Sequence, residues 1–187
     1  MLIRAKDILL IPNLLSVARI ALIFLPAYLI AEQNPGNRPY ILLLIAIGIV
    51  SDILDGVLAR RLNQISDLGK ILDPVADKVC TGVLVIALYL YSDFPLWAVL
   101  VILVRDFSLL IGALFLVRKR SEITTSNMVG KLAALSWGIV ILVFVLDWDI
   151  LKTPMLVIAA AMVAVSATSY TKRYLRKLRE SQNTPKP

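Results

Sequence analysis

An all-α polytopic membrane protein, with six transmembrane helices behind a short N-terminal interfacial helix, is the fold class this sequence predicts, and three observations predict it. Hydrophobic residues fill 59% of the 187 positions, more than a soluble globule of this size carries. They fall into six segments, each near the roughly 20 residues needed to cross a bilayer. Lysine and arginine gather at alternate connections between these segments instead of spreading evenly.

Residues 1–11, MLIRAKDILLI, mix apolar positions with Arg4, Lys6 and Asp7 and stop at Pro12, the pattern of an amphipathic helix lying in the interface. A secretory signal is the rival reading. The apolar run continues to Ala31 without a small-residue cleavage pattern, so the stretch is expected to be retained. The six spans are expected at about 13–31, 39–60, 73–92, 95–118, 128–147 and 152–173. Asn13 after Pro12 reads as the N-cap of the first span, with Ser16 at its third helical position. Turn signals separate several of the spans: Pro35 and Gly36 in the first connection, Pro95 after Ser92–Phe94, and Pro154 after Asp147–Thr153. One domain is expected over 1–179, followed by a polar, disordered tail, ESQNTPKP, over 180–187.

Charge sets the orientation. Arg4 and Lys6 precede the first span; Arg60, Arg61, Lys70 and Lys78 surround the second connection; Arg118, Lys119, Arg120 and Lys131 surround the fourth; Lys172, Arg173, Arg176, Lys177, Arg179 and Lys186 follow the last. The opposite side holds Arg38 and Lys152. By the positive-inside rule both termini face the cytoplasm, in the cell's inner or plasma membrane. The net charge of +7 is then a membrane-face asymmetry suited to anionic lipid headgroups, and with no soluble fold to present it, nucleic acid is excluded as a partner. The single cysteine, Cys80, rules out an internal disulfide framework and reads as a small buried apolar residue.

Within this apolar chain lies SDILDGVLARRLNQISDLGKILDPVADK. Asp52 and Asp55 are three apart and Asp73 and Asp77 four apart, so each pair projects from one face of its own helix. Two acidic helix edges face each other across a short basic loop, with Gly56, Ala59, Arg60 and Gly69 in register beside them. Four like charges repel unless something positive sits among them, and an isolated buried carboxylate protonates rather than stay charged. All-oxygen ligands in a chain without histidine select a hard divalent cation such as Mg2+, Mn2+ or Ca2+ over zinc. The rival reading pairs these aspartates with Arg60, Arg61, Lys70 and Lys78 at the membrane surface.

The pattern D-x-x-D-G-x-x-A-R-x(8)-G-x-x-x-D-x-x-x-D is met at every fixed position by Asp52, Asp55, Gly56, Ala59, Arg60, Gly69, Asp73 and Asp77. It resembles the signature of the CDP-alcohol phosphatidyltransferase family. The resemblance implies a six-helix fold that dimerises and an enzyme that moves a phosphatidyl group from CDP-diacylglycerol to an alcohol, releasing CMP. It implies that Asp52, Asp55 and Asp73 hold two divalent cations, Mg2+ or Mn2+. Asp77 would stand near or on the second cation and act as base toward the acceptor hydroxyl, and Gly56, Ala59, Arg60 and Gly69 would contact the CDP portion. The chemistry suits the residues. A diphosphate is strongly anionic, so phosphoryl transfer needs positive charge on its oxygens, and small residues let a nucleotide approach the backbone.

Arg19 sits about two turns into the first span and Arg105 with Asp106 midway along the fourth. A guanidinium facing lipid there is unfavourable by about 2.5 to 3.5 kcal/mol on insertion scales, so both arginines are expected to face the bundle interior. Two readings of Arg105 stand: a structural partner neutralised by the adjacent Asp106, although neighbours point about 100° apart on a helix and do not pair well, or an anion site. Arg105, with Arg118, Lys119 and Lys131 near the same end, is expected to line a pocket for a phosphate-bearing acceptor. IPNLLSVARI and Gly130-Lys131 resemble the phosphatidylglycerophosphate synthase branch, whose acceptor is glycerol 3-phosphate. The chain departs from that branch's G-K-x-K-T at Ala133 and Ala134. VRDFSLLIGALFL resembles the eukaryote-type cardiolipin synthases, whose acceptor is phosphatidylglycerol, and inositol phosphate is a third acceptor. From a different class, a divalent-cation transporter would place acids near mid-membrane on several helices, whereas Glu32, Asp93, Asp147 and Asp149 lie in loops.

Overall fold

The computed structural model describes residues 10–61, 66, 68–119 and 128–183, apart from the side chains of 59, 60, 70, 112–119, 129 and 169–183. Most of the expected interfacial helix, residues 1–9, and the end of the expected tail, 184–187, lie outside this description. Every regular element among the described residues is helical: α1 Ile11–Leu22, α2 Phe24–Ala31, a 3-10 turn Pro35–Asn37, α3 Arg38–Arg61, α4 Gly69–Tyr91, α5 Leu96–Lys119, α6 Met128–Leu146 and α7 Asp149–Asn183. Three stretches, Ile11–Ala31, Pro35–Leu58 and Asp149–Thr168, are long and apolar enough to cross a membrane, and Gly130–Leu146 is a shorter apolar helix. The chain divides into two compact units, one holding α1 to α5 with Phe144–Leu146, the other Thr124–Val143 with α7.

In the first unit α1 and α2 form one rod interrupted at Ile23. Pro26 has no N–H to offer the carbonyl of Leu22, which breaks the ladder at that turn. On either side it holds: Ile23 N–H donates to the Arg19 carbonyl at 3.1 Å, and Ala27 N–H to the Ile23 carbonyl at 3.3 Å. The rod stops at Gln33, whose φ of 52° is left-handed and whose N–H returns to the Ile30 carbonyl at 3.0 Å. Asn34 then accepts from Gly36 N–H at 3.0 Å, starting the turn into α3. Asn13 is not the N-cap expected of it. Pro12 is tolerated within the first turn, so the helix begins at Ile11 and Leu10 takes the cap position, without a side-chain bond.

α1 packs on α3 and α4, α2 on the same pair, and α4 on α5. Leu84, Val85 and Leu88 of α4 and Ala98, Val99 and Ile102 of α5 are buried. Phe94, in the turn between them, meets Phe144 edge to face with centroids 4.8 Å apart. Polar groups sit inside with them: Asn13, Ser16, Arg19, Asp55 and Asp106 are all at most 6% exposed, while Leu43, Ile47, Val50 and Ile53 of α3 and Val104, Phe107 and Ile111 of α5 face outward. That inversion fits a molecule whose surroundings are hydrocarbon.

In the second unit Asp147 is left-handed, φ 57°, and Trp148 N–H reaches back to the Val143 carbonyl at 3.2 Å, reversing the chain into α7. Ala133, Trp137, Val140 and Ile141 form a buried stripe along α6. α7 continues to Asn183, into the stretch expected to be disordered, since propagating a formed helix costs far less than nucleating one.

Candidate active site

The two acid pairs arrive on the helices the spacing predicts, Asp52 and Asp55 on α3 and Asp73 and Asp77 on α4. What organises them is α1. Arg19 donates through Nη1 to Asp52 Oδ1 and through Nη2 to Asp55 Oδ2, so a single guanidinium forks across the i, i+3 pair. One turn earlier on α1, Ser16 Oγ lies 2.8 Å from Asp73 Oδ1 and 3.2 Å from the Pro12 carbonyl. Its one proton serves the nearer, charged acceptor. Another turn back, Asn13 Nδ2 donates to Ser66 Oγ at 3.1 Å, and Ser66 Oγ accepts from Gly69 N–H at 2.9 Å. Asn13, Ser16 and Arg19 thus form one polar stripe that ties both acid helices to α1.

Burial separates the carboxylates. Asp55 is 4% exposed and its partner Arg19 6%, whereas the side chains of Asp52 and Asp77 are each 53% exposed. Asp52 and Asp77 line one cavity of about 180 Å³ together with Arg19, Cys80 and Thr81; its remaining walls are apolar, from Leu22, Ile23 and Pro26 to Leu44, Ile49 and Leu84. Cys80, expected to be a small buried apolar residue, is half-buried there with Sγ 3.8 Å from the Arg19 carbonyl.

Asp77 is held by Lys78 Nζ at 2.7 Å. The same ammonium lies 3.5 Å from Asp106 Oδ2 on α5, and Arg105 Nη1 donates to Asp106 Oδ1 at 2.8 Å. Of the two readings of Arg105, the structure shows the pairing with its neighbour Asp106, although adjacent positions point apart. The long arginine stem spans the angle between neighbouring positions and keeps both charges together inside.

The two glycines differ. A Cβ on Gly56 would meet nothing within 4 Å, so the space beside it is open; one on Gly69 would come within 2.7 Å of Asn13 Oδ1 and 3.2 Å of Ser66 Oγ. Gly69 is small because α1 needs the room. Gly69→Ala is expected to destabilise the protein by about 1–3 kcal/mol through overpacking, read as a lower thermal midpoint in detergent, and Asn13→Ala in the same chain should recover part of the loss. The side chains of Ala59, Arg60, Arg118 and Lys119 lie outside the described residues. Lys131 is exposed on α6.

Among the described residues, no three acidic, cysteine or histidine side chains are gathered around one point as they stand; the Arg19 guanidinium takes the position between Asp52 and Asp55. The donor set still fits a hard cation. Four carboxylates supply only oxygen, each engaging one oxygen in the contacts above, and the structure already seats a positive group among them.

The family model for the CDP-alcohol phosphatidyltransferases matches residues 9–168. The chain is 40% identical over 134 residues to a CMP-forming cardiolipin synthase of Streptomyces coelicolor, covering 70% of this chain and 62% of that protein. It is 35% identical over 170 residues to a CDP-diacylglycerol–glycerol-3-phosphate 3-phosphatidyltransferase of Aquifex aeolicus, covering 86% and 93%. It is 32% identical over 147 residues to the protein of that name in Bacillus subtilis, covering 71% and 74%.

Proposed function

This chain belongs to the CDP-alcohol phosphatidyltransferase family, and on that premise we propose that it transfers the phosphatidyl group of CDP-diacylglycerol to glycerol 3-phosphate, forming phosphatidylglycerophosphate and CMP. The observation that carries the reading is the cavity that Asp52 of α3 and Asp77 of α4 both line, beside Arg19 and mostly apolar walls. A charged end joined to an apolar cleft suits a diphosphate linked to lipid. Asp52, Asp55, Asp73 and Asp77 would hold two divalent cations, Mg2+ or Mn2+, which when bound neutralise the diphosphate and the charge developing in the transition state.

The chain's own residues do the rest. Asp77, half-exposed at the cavity, takes the proton of the acceptor hydroxyl as its oxygen bonds to the phosphatidyl phosphorus and the bond to the CMP oxygen breaks. Arg19 and Ser16 orient the acids. Gly56, with Ala59, Arg60 and Gly69 in register, flanks the CDP portion, and Arg105, Arg118 and Lys119 receive the acceptor's phosphate. The finer architecture proposed is six spans with both termini and the site facing the cytoplasm, in a homodimer of the cell membrane.

Phosphatidylglycerol as acceptor is the second reading, favoured by the identity to the Streptomyces cardiolipin synthase. Purified protein with Mg2+ or Mn2+ and CDP-diacylglycerol is expected to release CMP on addition of glycerol 3-phosphate, and not with inositol phosphate or serine. Turnover with phosphatidylglycerol alone would replace the first reading by the second. Gly56→Ala is expected to raise KM for CDP-diacylglycerol while leaving the thermal midpoint unchanged, because the added methyl enters open space. An unchanged KM would remove Gly56 from the nucleotide site.

A further inference from the structure

We propose that Asp106 is a positioning residue for the reaction, acting through Lys78 to hold the carboxylate of Asp77 at the acceptor hydroxyl. This rests on the assignment of Asp77 as the base. A carboxylate 4% exposed in the middle of an apolar helix is expensive to maintain, and the position of this one is specific. Asp106 Oδ2 stands 3.5 Å from Lys78 Nζ, whose other contact is Asp77 Oδ2 at 2.7 Å.

Asp77 itself is half-exposed on α4, and among the described residues Lys78 is the side chain that holds it. On its own it has several rotamers to choose among. Lys78 is adjacent in sequence on a flexible four-carbon stem, a poor anchor unless its far end is fixed. Asp106 fixes that end from α5, the helix packed against α4, and Arg105 on the opposite oxygen at 2.8 Å keeps Asp106 aimed. The chain Arg105, Asp106, Lys78, Asp77 therefore runs from the α4–α5 packing to the reacting group. A positioned base contributes only in the geometry where it reaches its proton, so loosening this chain lowers kcat and spares the binding of the lipid nucleotide, whose proposed contacts lie on α3 and at the start of α4.

The test is a double-mutant cycle on the purified full chain with Mn2+, scoring CMP release at saturating acceptor, with Asp77→Asn in the same assay. Asp106→Asn and Lys78→Gln are each expected to lower kcat by about 10-fold to 100-fold, the range for outer partners of a ligating group, with KM for CDP-diacylglycerol unchanged. The double variant should be no worse than either single one, since both cut the same link. Lys78→Arg, which keeps the charge, should retain most of kcat. Additive losses, a change confined to KM, or unaltered kcat in Lys78→Gln would each overturn the proposal; Lys78 is 24% exposed, so its variants carry the test should Asp106→Asn not fold. If Asp77→Asn keeps full turnover, the base assignment itself fails, whereas an inactive Asp77→Asn beside a normal Asp106→Asn removes only the role of Asp106.

Discussion

Asp77→Asn is expected to lower CMP release by about three orders of magnitude, within the range of general-base contributions, while the purified protein keeps its thermal midpoint. The amide is isosteric but accepts no proton at neutral pH and brings no charge to a cation. Little fold energy is at stake, because the side chain is 53% exposed and its ion pair among the described residues is with a partly exposed lysine, an arrangement worth at most about 1 kcal/mol. Activity near that of the natural chain, in protein shown to be folded, would sink the assignment of Asp77. A collapse of the midpoint would instead make it a structural residue.

The second large effect falls on stability. Arg19→Met is expected to destabilise the protein by about 3–5 kcal/mol, the loss that follows when one partner of a buried ion pair is removed and the other stays buried. Asp55, 4% exposed, is that other partner. The measurement is thermal unfolding in detergent, once with a chelator and once with saturating Mn2+. If the carboxylates form a cation site, Mn2+ supplies the missing positive charge, so its stabilising shift should be larger in Arg19→Met than in the natural chain. Equal shifts in the two proteins would count against the carboxylates as ligands.

The acid helices were legible in the sequence because i, i+3 and i, i+4 spacing is a local property: Asp52 with Asp55, and Asp73 with Asp77, lie where their spacing predicts. Arg19 was legible as an inward-facing cation, but its partners were not. They lie 33 and 36 positions away, and nothing local in α1 says which neighbouring helix brings the counter-charge. Asn13 shows the same limit from the other direction. Its place after Pro12 fits an N-cap, yet its amide is used on Ser66, 53 positions on. The interruption at Ile23 was written in Pro26 and went unread because hydropathy continues smoothly through it. Arg105 with Asp106 was half legible: the directions of the Cα–Cβ bonds oppose the pairing, and the reach of the arginine stem, which allows it, leaves no mark in the spacing.

The clasp between α1 and α3 also bears on how the chain is made. The ribosome delivers Arg19 before either of its carboxylates, which follow it by 33 and 36 residues. Until α3 follows, an uncompensated arginine costs about 2.5 to 3.5 kcal/mol of insertion free energy, so the nascent first helix has reason to linger beside the translocon. A chain cut short before Asp52 is therefore expected to hold its first helix less firmly in the membrane than one that includes α3.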